Sequence, residues 1–335
     1  MGSRMIAARG APMSLEFRPL VVLCLAVGCS SSDPAPPSTP GPSPVTLQFE
    51  AVDAAGTPYV CGAKGLHIAG LTDVTPGDLR LYVHEVRLLK GDRAIPVTLD
   101  QDHAWQFQNV ALLDFEDATA ACSYVIFGKS KTPDTNHVLR GLPAEAGPYD
   151  GVEFTLGVPV ALNHLETADS KSPLNTTGMD HGAADGRQFV RVSFYSDTTG
   201  ATGDKDHNLL VFRSVCNNVT NGGEIPASAD ACDKPNRPTI RLAQAGGFDP
   251  TKDRIVVDVD AMFRGYTTPG TPGAHADLSD GGRIDCYGPL NAGDLGPQIG
   301  AERCGTFYPN VGLDYTTGRP QGTQGVFRIE KSKAR

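Results

Sequence analysis

Leu79–Leu89 reads LRLYVHEVRLL. Apolar side chains recur at every second position through Leu79, Leu81 and Val83, the period of a β-strand with a buried face. The alternation then changes parity at Val86 and Leu88. A strand that keeps its period but switches face needs an extra residue or a bend, so the stretch predicts one long strand with a bulge or bend midway.

Similar runs flank it on both sides. Upstream lies Val45–Ala51 (VTLQFEA), followed by an expected loop from Gly62 to Pro76. Downstream, Ile95–Leu99 follows a turn at Gly91-Asp92, and Gln106–Phe115 (QFQNVALLDF) reads as a buried strand. Tyr149–Val160, Gln188–Tyr195, Asn208–Arg213, Thr239–Ala243, Arg254–Val259 and Val326–Ile329 add further strands. With 38 Gly, 26 Pro and only 20% charged residues, the composition favours short strands joined by turns. The expected fold is all-β: a disulfide-stapled, β-sandwich-like domain with long loops and little helix. Thr267–Asp280 reads as an exposed loop. Residues 45–335 are read as one β-rich unit, the alternative being a small C-terminal disulfide subdomain from about residue 236.

The N-terminal residues read as an address. Pro19–Gly28 is an apolar run, short for a membrane span, with Arg4, Arg9 and Arg18 before it. It ends in Ala26-Val27-Gly28-Cys29, which looks like a bacterial lipobox with Cys29 as the lipidated residue; an ordinary cleaved secretory signal is the competing reading. Met13 is an alternative start. The Pro/Ser-rich residues 30–44 are too poor in apolar side chains to build a core and read as an extended tether. These features place the protein in the envelope of a Gram-negative bacterium, as a periplasm-facing or surface lipoprotein of the outer membrane, held there by its lipid alone.

Cysteine usage fits that compartment. Of the eight cysteines, Cys24 and Cys29 lie in the signal region; Cys61, Cys122, Cys216, Cys232, Cys286 and Cys304 remain, an even set without a C-x-x-C pair. Disulfides are therefore expected, and proximity favours pairing each with its nearest neighbour in that order. A net charge of −9 without a basic stripe argues against nucleic acid as a partner.

Catalytic motifs are missing: H-E-x-x-H, G-x-S-x-G and phosphate-binding glycine loops do not occur. The acidic cluster Asp114, Glu116 and Asp117 reads first as a solvated strand end, and Asp197–Asp206 as a polar turn before a calcium loop. Among eight histidines the informative ones lie near other soft donors. The segment Gly157–Phe189, GVPVALNHLETADSKSPLNTTGMDHGAADGRQF, holds His164, Met179 and His181 in a long connection between two strands. Imidazole suits copper, and thioether sulfur favours Cu(I). Met179 and His181, like His103 and the single tryptophan Trp105, are two residues apart and would share a side if the chain is extended. Intact indole is a donor only and cannot ligate a metal, whereas its oxidation product kynurenine has an aniline-type nitrogen with a lone pair.

The order of motifs is distinctive. Cys61, LYVHEVRLL (Leu81–Leu89), VALLDFED (Val110–Asp117), Cys122, YDGVEFTLGVPVALNH (Tyr149–His164), PLN (Pro173–Asn175), Met179, Gly186, Phe189 and Cys216 together resemble the MbnP family. These are periplasmic or lipid-anchored proteins, also described as the four-Cys member of the metallo-mystery pair. The resemblance implies a copper carrier or store that is not an enzyme. It also implies a partner, an MbnH-type di-haem protein, that oxidises a tryptophan to kynurenine so that copper binds. His164 falls on the family's LNH histidine and Met179 on the methionine of its M-x-W-x-W pattern. His181 and Ala183 replace the two tryptophans of that pattern, and Leu210 stands where a histidine is usual. Trp105 is left as the sole oxidisable tryptophan, and His181 as a compensating imidazole. The candidate site is His103, Trp105, His164, Met179 and His181, with His84 as an outer choice. A metal-free structural or adhesive surface lipoprotein is the competing reading.

Overall fold

The computed structural model describes residues 41–123, 134–195, 207–216, 219, 222–265, 283–286 and 301–332. Cys29, most of the tether, the loops 197–206 and 267–280, and His275 lie outside the described residues. The strands are β1 (Val45–Val52), β2 (Leu66–Ile68), β3 (Leu71–Lys90), β4 (Arg93–Leu99), β5 (Gln106–Phe107), β6 (Val110–Asp114) and β7 (Val138–Pro143). They continue with β8 (Tyr149–Leu156), β9 (Val190–Tyr195), β10 (His207–Phe212), β11 (Thr239–Phe248), β12 (Arg254–Asp258), β13 (Arg283–Cys286) and β14 (Phe327–Glu330). All 14 hydrogen-bond into one open sheet whose main path runs β13-β10-β9-β3-β4-β7-β1-β12-β14.

β4 is the fold line of that sheet. It pairs with β3 through Arg87↔Pro96 to Lys90↔Arg93 and with β7 through Val97↔Pro143 to Leu99↔Gly141. The two halves then pack face to face. Phe154 of β8 meets Phe49 of β1 edge-on at 5.8 Å and Phe327 of β14 at 5.3 Å, geometry that suits the aromatic quadrupole. β1 also pairs in parallel with β12, and β12 in turn pairs antiparallel with β14.

β3 is 20 residues long and touches β2, β4, β6, β8 and β9. Its bulge is where the parity change puts it: the register against β8 shifts between His84 and Arg87, and Glu85 takes φ 52°. Leu79, Leu81 and Val83 lie in the apolar core. The opposite parity, Asp78, Arg80, Tyr82 and His84, is also buried, so something must cover that second face.

Several expectations needed correction. The loop from Gly62 to Pro76 contains β2 and the first residues of β3. Gln106–Phe115 is a tight hairpin, β5 and β6, turning at Gln108 with φ 53°. β7 has a pattern weakened by glycine, and Gly141 is there because a Cβ would stand 2.4 Å from the Thr98 carbonyl. Asp114 and Glu116 are not a solvated rim but fully buried. A ten-residue helix over Ala301–Asn310 carries Cys304, which bonds Cys286. The other disulfides are Cys61–Cys122 and Cys216–Cys232, so all three pairs join nearest neighbours in sequence.

Candidate metal centre

The second face of β3 is a buried polar floor. The Asp78 carboxylate accepts from Arg80 Nε (2.9 Å) and Nη2 (2.8 Å) and from Arg191 Nε (2.9 Å). Arg80 and Arg191 face each other across the β3–β9 pairing, a like-charge contact that only an intervening anion makes tolerable. Burial alone would lower the Arg80 pKa; Asp78 beside it, with Asp114 and Glu116 nearby, raises it instead.

The segment Gly157–Phe189 lies over this floor. The Tyr82 hydroxyl donates to the Pro173 carbonyl (2.6 Å) and Arg80 Nη1 to the Thr177 carbonyl (3.0 Å). Backbone bonds from Gly157 N to Tyr82 O and from Tyr82 N to Phe189 O tie down both ends. Gly157 has φ +114° and a Cβ there would meet the Phe189 ring at 2.7 Å, so the entry needs glycine. The inside of the segment is organised by Arg187, which is wholly buried. It donates to the carbonyls of Leu174 (3.1 Å), Asn163 (2.6 Å) and Leu165 (2.8 Å) and to Ser170 Oγ, with Asp180 at 3.5 Å. A rigid five-donor fork thus satisfies carbonyls that an irregular buried loop would otherwise leave orphaned.

Three expected donors lie on this segment. His164 ends the helical turn α1 (Val160–Asn163) and is buried. Its Nδ1 bonds the Ala183 carbonyl at 2.8 Å and its Nε2 faces Asn163 Nδ2 at 3.0 Å. His181 opens a second turn, α2 (Gly182–Asp185), and its Nε2 faces Gln188 Nε2 at 2.5 Å. Met179 is fully buried in the core, and its carbonyl accepts from Gln188 N. His164 is thus docked through Ala183 on the stretch, closed by the Asp180–Arg187 bridge, that carries Met179 and His181.

His84 rises from the floor. It is 4% exposed, and its Nδ1 has no hydrogen-bond partner. Burial, then the charges of Arg237 and Arg87, push its pKa down to about 3. Arg237 itself donates to the carbonyls of Val158 (2.6 Å) and Pro235 (2.9 Å) and lies over the Phe189 ring at 4.8 Å. Burial lowers its pKa to about 9. His164 is likewise pushed down by burial, opposed by its bond to Ala183 and aided by Arg237, Arg187 and Arg213. Both imidazoles are neutral at pH 7, the form that binds metals.

Trp105 reaches the same face by another route. Its carbonyl accepts from Leu112 N (2.9 Å), Leu112 pairs with Tyr82, and the side chain packs partly buried against the core. Ser172 Oγ donates to the Ala104 carbonyl (2.7 Å), joining the Trp105 turn to the covering segment. His103 is exposed with φ 57°, which breaks the extended geometry that would have aligned it with Trp105. The i, i+2 argument fails for Met179 and His181 too, because Met179 lies in a turn and His181, with φ −119° and ψ 17°, is not extended.

By type, neutral imidazoles and a thioether suit copper, especially Cu(I), better than calcium or magnesium. Among the described residues no three of His, Cys, Asp or Glu gather as a metal-holding group. The donor set fits copper in chemistry, while the Nε2 atoms of His164 and His181 are engaged by amide side chains in this fold. Arg187, Arg191, Asn163 and Gln188 were not singled out from sequence. The available signals were the Asn of LNH and two arginines in or beside an apolar strand.

Among curated proteins none matches this chain. The chain is similar to the solved structure of MbnP from Methylosinus trichosporium at 24% identity and a TM-score of 0.62, over 88% of this chain and 99% of that one. That likeness concerns the fold. The MbnP family profile matches residues 42–277, a span that includes β1, the bulged β3, the Trp105 hairpin and the whole covering segment. The chain belongs to the MbnP family.

Proposed function

We propose that this protein binds copper and acts as a carrier or store rather than a catalyst, with the metal at the segment that carries His164, Met179 and His181. One observation carries this reading: His164 Nδ1 bonds the carbonyl of Ala183, two residues from His181 and four from the buried Met179, so His164 docks on the stretch that carries the other two donors. His84, neutral and with an unpartnered Nδ1, supplies a further donor from the floor. In the same proposal Cys29 is lipidated and residues 30–44 tether the domain to the outer membrane. Trp105 is the residue that an MbnH-type di-haem partner oxidises to kynurenine. Its turn joins the segment at Ser172, so the modified side chain would approach from the hairpin side.

Protein made in its native host tests this directly. Copper content by elemental analysis is expected at one ion per chain, and intact mass should show oxidation at Trp105. Copper-free protein with no affinity for added Cu(I) or Cu(II) would overturn the copper reading, and an unchanged Trp105 the oxidation. The competing reading, a structural or adhesive lipoprotein, draws on the lack of a three-residue His/Cys/Asp/Glu group among the described residues. It predicts that replacing His164 and His181 together changes no metal affinity.

A further inference from the structure

His164 and His181 are capped in the same way. The Asn163 carboxamide oxygen accepts from Arg187 N–H at 3.0 Å, so its amino group is the side turned to His164 Nε2. The Gln188 carboxamide oxygen accepts from Arg191 Nη1 at 3.3 Å, so its amino group is turned to His181 Nε2. Arginine and backbone N–H groups only donate, which fixes both amide orientations chemically. Each Nε2 must then be the acceptor nitrogen. For His164 the other nitrogen, Nδ1, faces a carbonyl, which only accepts, so the proton is on Nδ1. For His181 the same rule places the proton of the neutral ring on Nδ1.

We propose that Asn163 and Gln188 are gatekeepers: their amino groups occupy the Nε2 lone pairs of His164 and His181, and a metal ion reaches either imidazole nitrogen only by replacing that donor. This rests on the copper reading for the identity of the metal, but not for the amide caps themselves. No covalent bond changes in the exchange; each cap loses a hydrogen bond and each Nε2 gains a metal. The caps are not equally easy to open. Asn163 Nδ2 also donates to Ser214 Oγ (3.1 Å), a hydrogen bond it keeps when the metal takes Nε2. Gln188 is anchored through Arg191 to Asp78, so opening it disturbs the polar floor. Gln188 is therefore the slower gate and a positioning residue, since it acts through His181.

The test uses Cu(I) supplied from a buffered chelator to the full chain, with stopped-flow loading, and nitrogen-15 spectra of the histidine rings in protein stripped of metal. Wild type should show the Nδ1–H tautomer at both His164 and His181. Gln188→Leu, which removes the cap, should load about tenfold faster, the effect of losing one hydrogen bond to a buried group. Gln188→Glu cannot donate, and should switch His181 to a ring with a proton on Nε2. An Nε2–H tautomer at either histidine in wild type overturns the caps, and so does an unchanged tautomer in Gln188→Glu. A loading rate unchanged by Gln188→Leu, in protein whose wild type binds Cu(I), overturns the gate. Wild type that binds no Cu(I) overturns the copper reading and the gating with it, while the tautomers still decide whether the caps exist.

Discussion

The Asp78 carboxylate accepts hydrogen bonds from both Arg80 and Arg191, and all three side chains are buried. Asp78→Asn keeps the shape and removes the charge, leaving two opposed guanidiniums without their shared anion. The expected cost is about 3–5 kcal/mol in urea unfolding, the range for breaking a buried ion pair from one side. A loss below about 1 kcal/mol would mean that Asp114 and Glu116 already suffice. His84 gives a pH signature at the same scale. Its folded pKa is depressed to about 3, so the unfolded state binds the extra proton as pH falls below the ordinary histidine value. Stability linked to His84 is complete above about pH 6.5 and is lost progressively towards pH 3. His84→Leu should flatten that part of the stability-versus-pH curve; equal slopes in wild type and variant would refute it. None of this was legible in the sequence, because a histidine in an alternating strand looks the same whether its second face is solvated or covered.

The covering segment is an element without regular structure, and its order comes from Arg187 rather than from propensity. Arg187→Gln is expected to leave the strands folded while the carbonyls of Leu174, Asn163 and Leu165 lose their donor. Limited proteolysis should then cut within residues 160–187 at least tenfold faster, with a global stability loss of about 3 kcal/mol. Cleavage confined to other loops would show that the floor contacts alone hold the segment. The connection was readable as a long loop between two strands, and both flanking strands were found nearly in place. What sequence could not supply was the coil's internal wiring. A guanidinium serving three carbonyls leaves no periodic trace, and neither does a carboxamide turned towards a ring nitrogen.

At the scale of the molecule, β3 pairs with five other strands and three disulfides cross-link the described chain. The three disulfides close loops of 61, 16 and 18 residues. Chain entropy then ranks them: replacing Cys61 and Cys122 by alanine should cost about 4 kcal/mol, and either of the other pairs about 3 kcal/mol. Urea midpoints of the three double variants check the order, and a reversed order would place the effect in native contacts instead. The all-β class and the central strand were legible because alternation and its parity change at Val86 are direct consequences of one strand with a bulge. The helix over Ala301–Asn310 was not, since its Pro309 and Gly305 dilute any helical signal. The central claim, copper at the segment that carries His164, Met179 and His181, is tested most directly by chelator competition for Cu(I). Wild type should hold one ion, and the His164→Phe/His181→Phe variant should lose at least about a hundredfold in affinity, as expected for removing two ligands. Equal affinity in the two proteins, or no Cu(I) held by wild type, would contradict it.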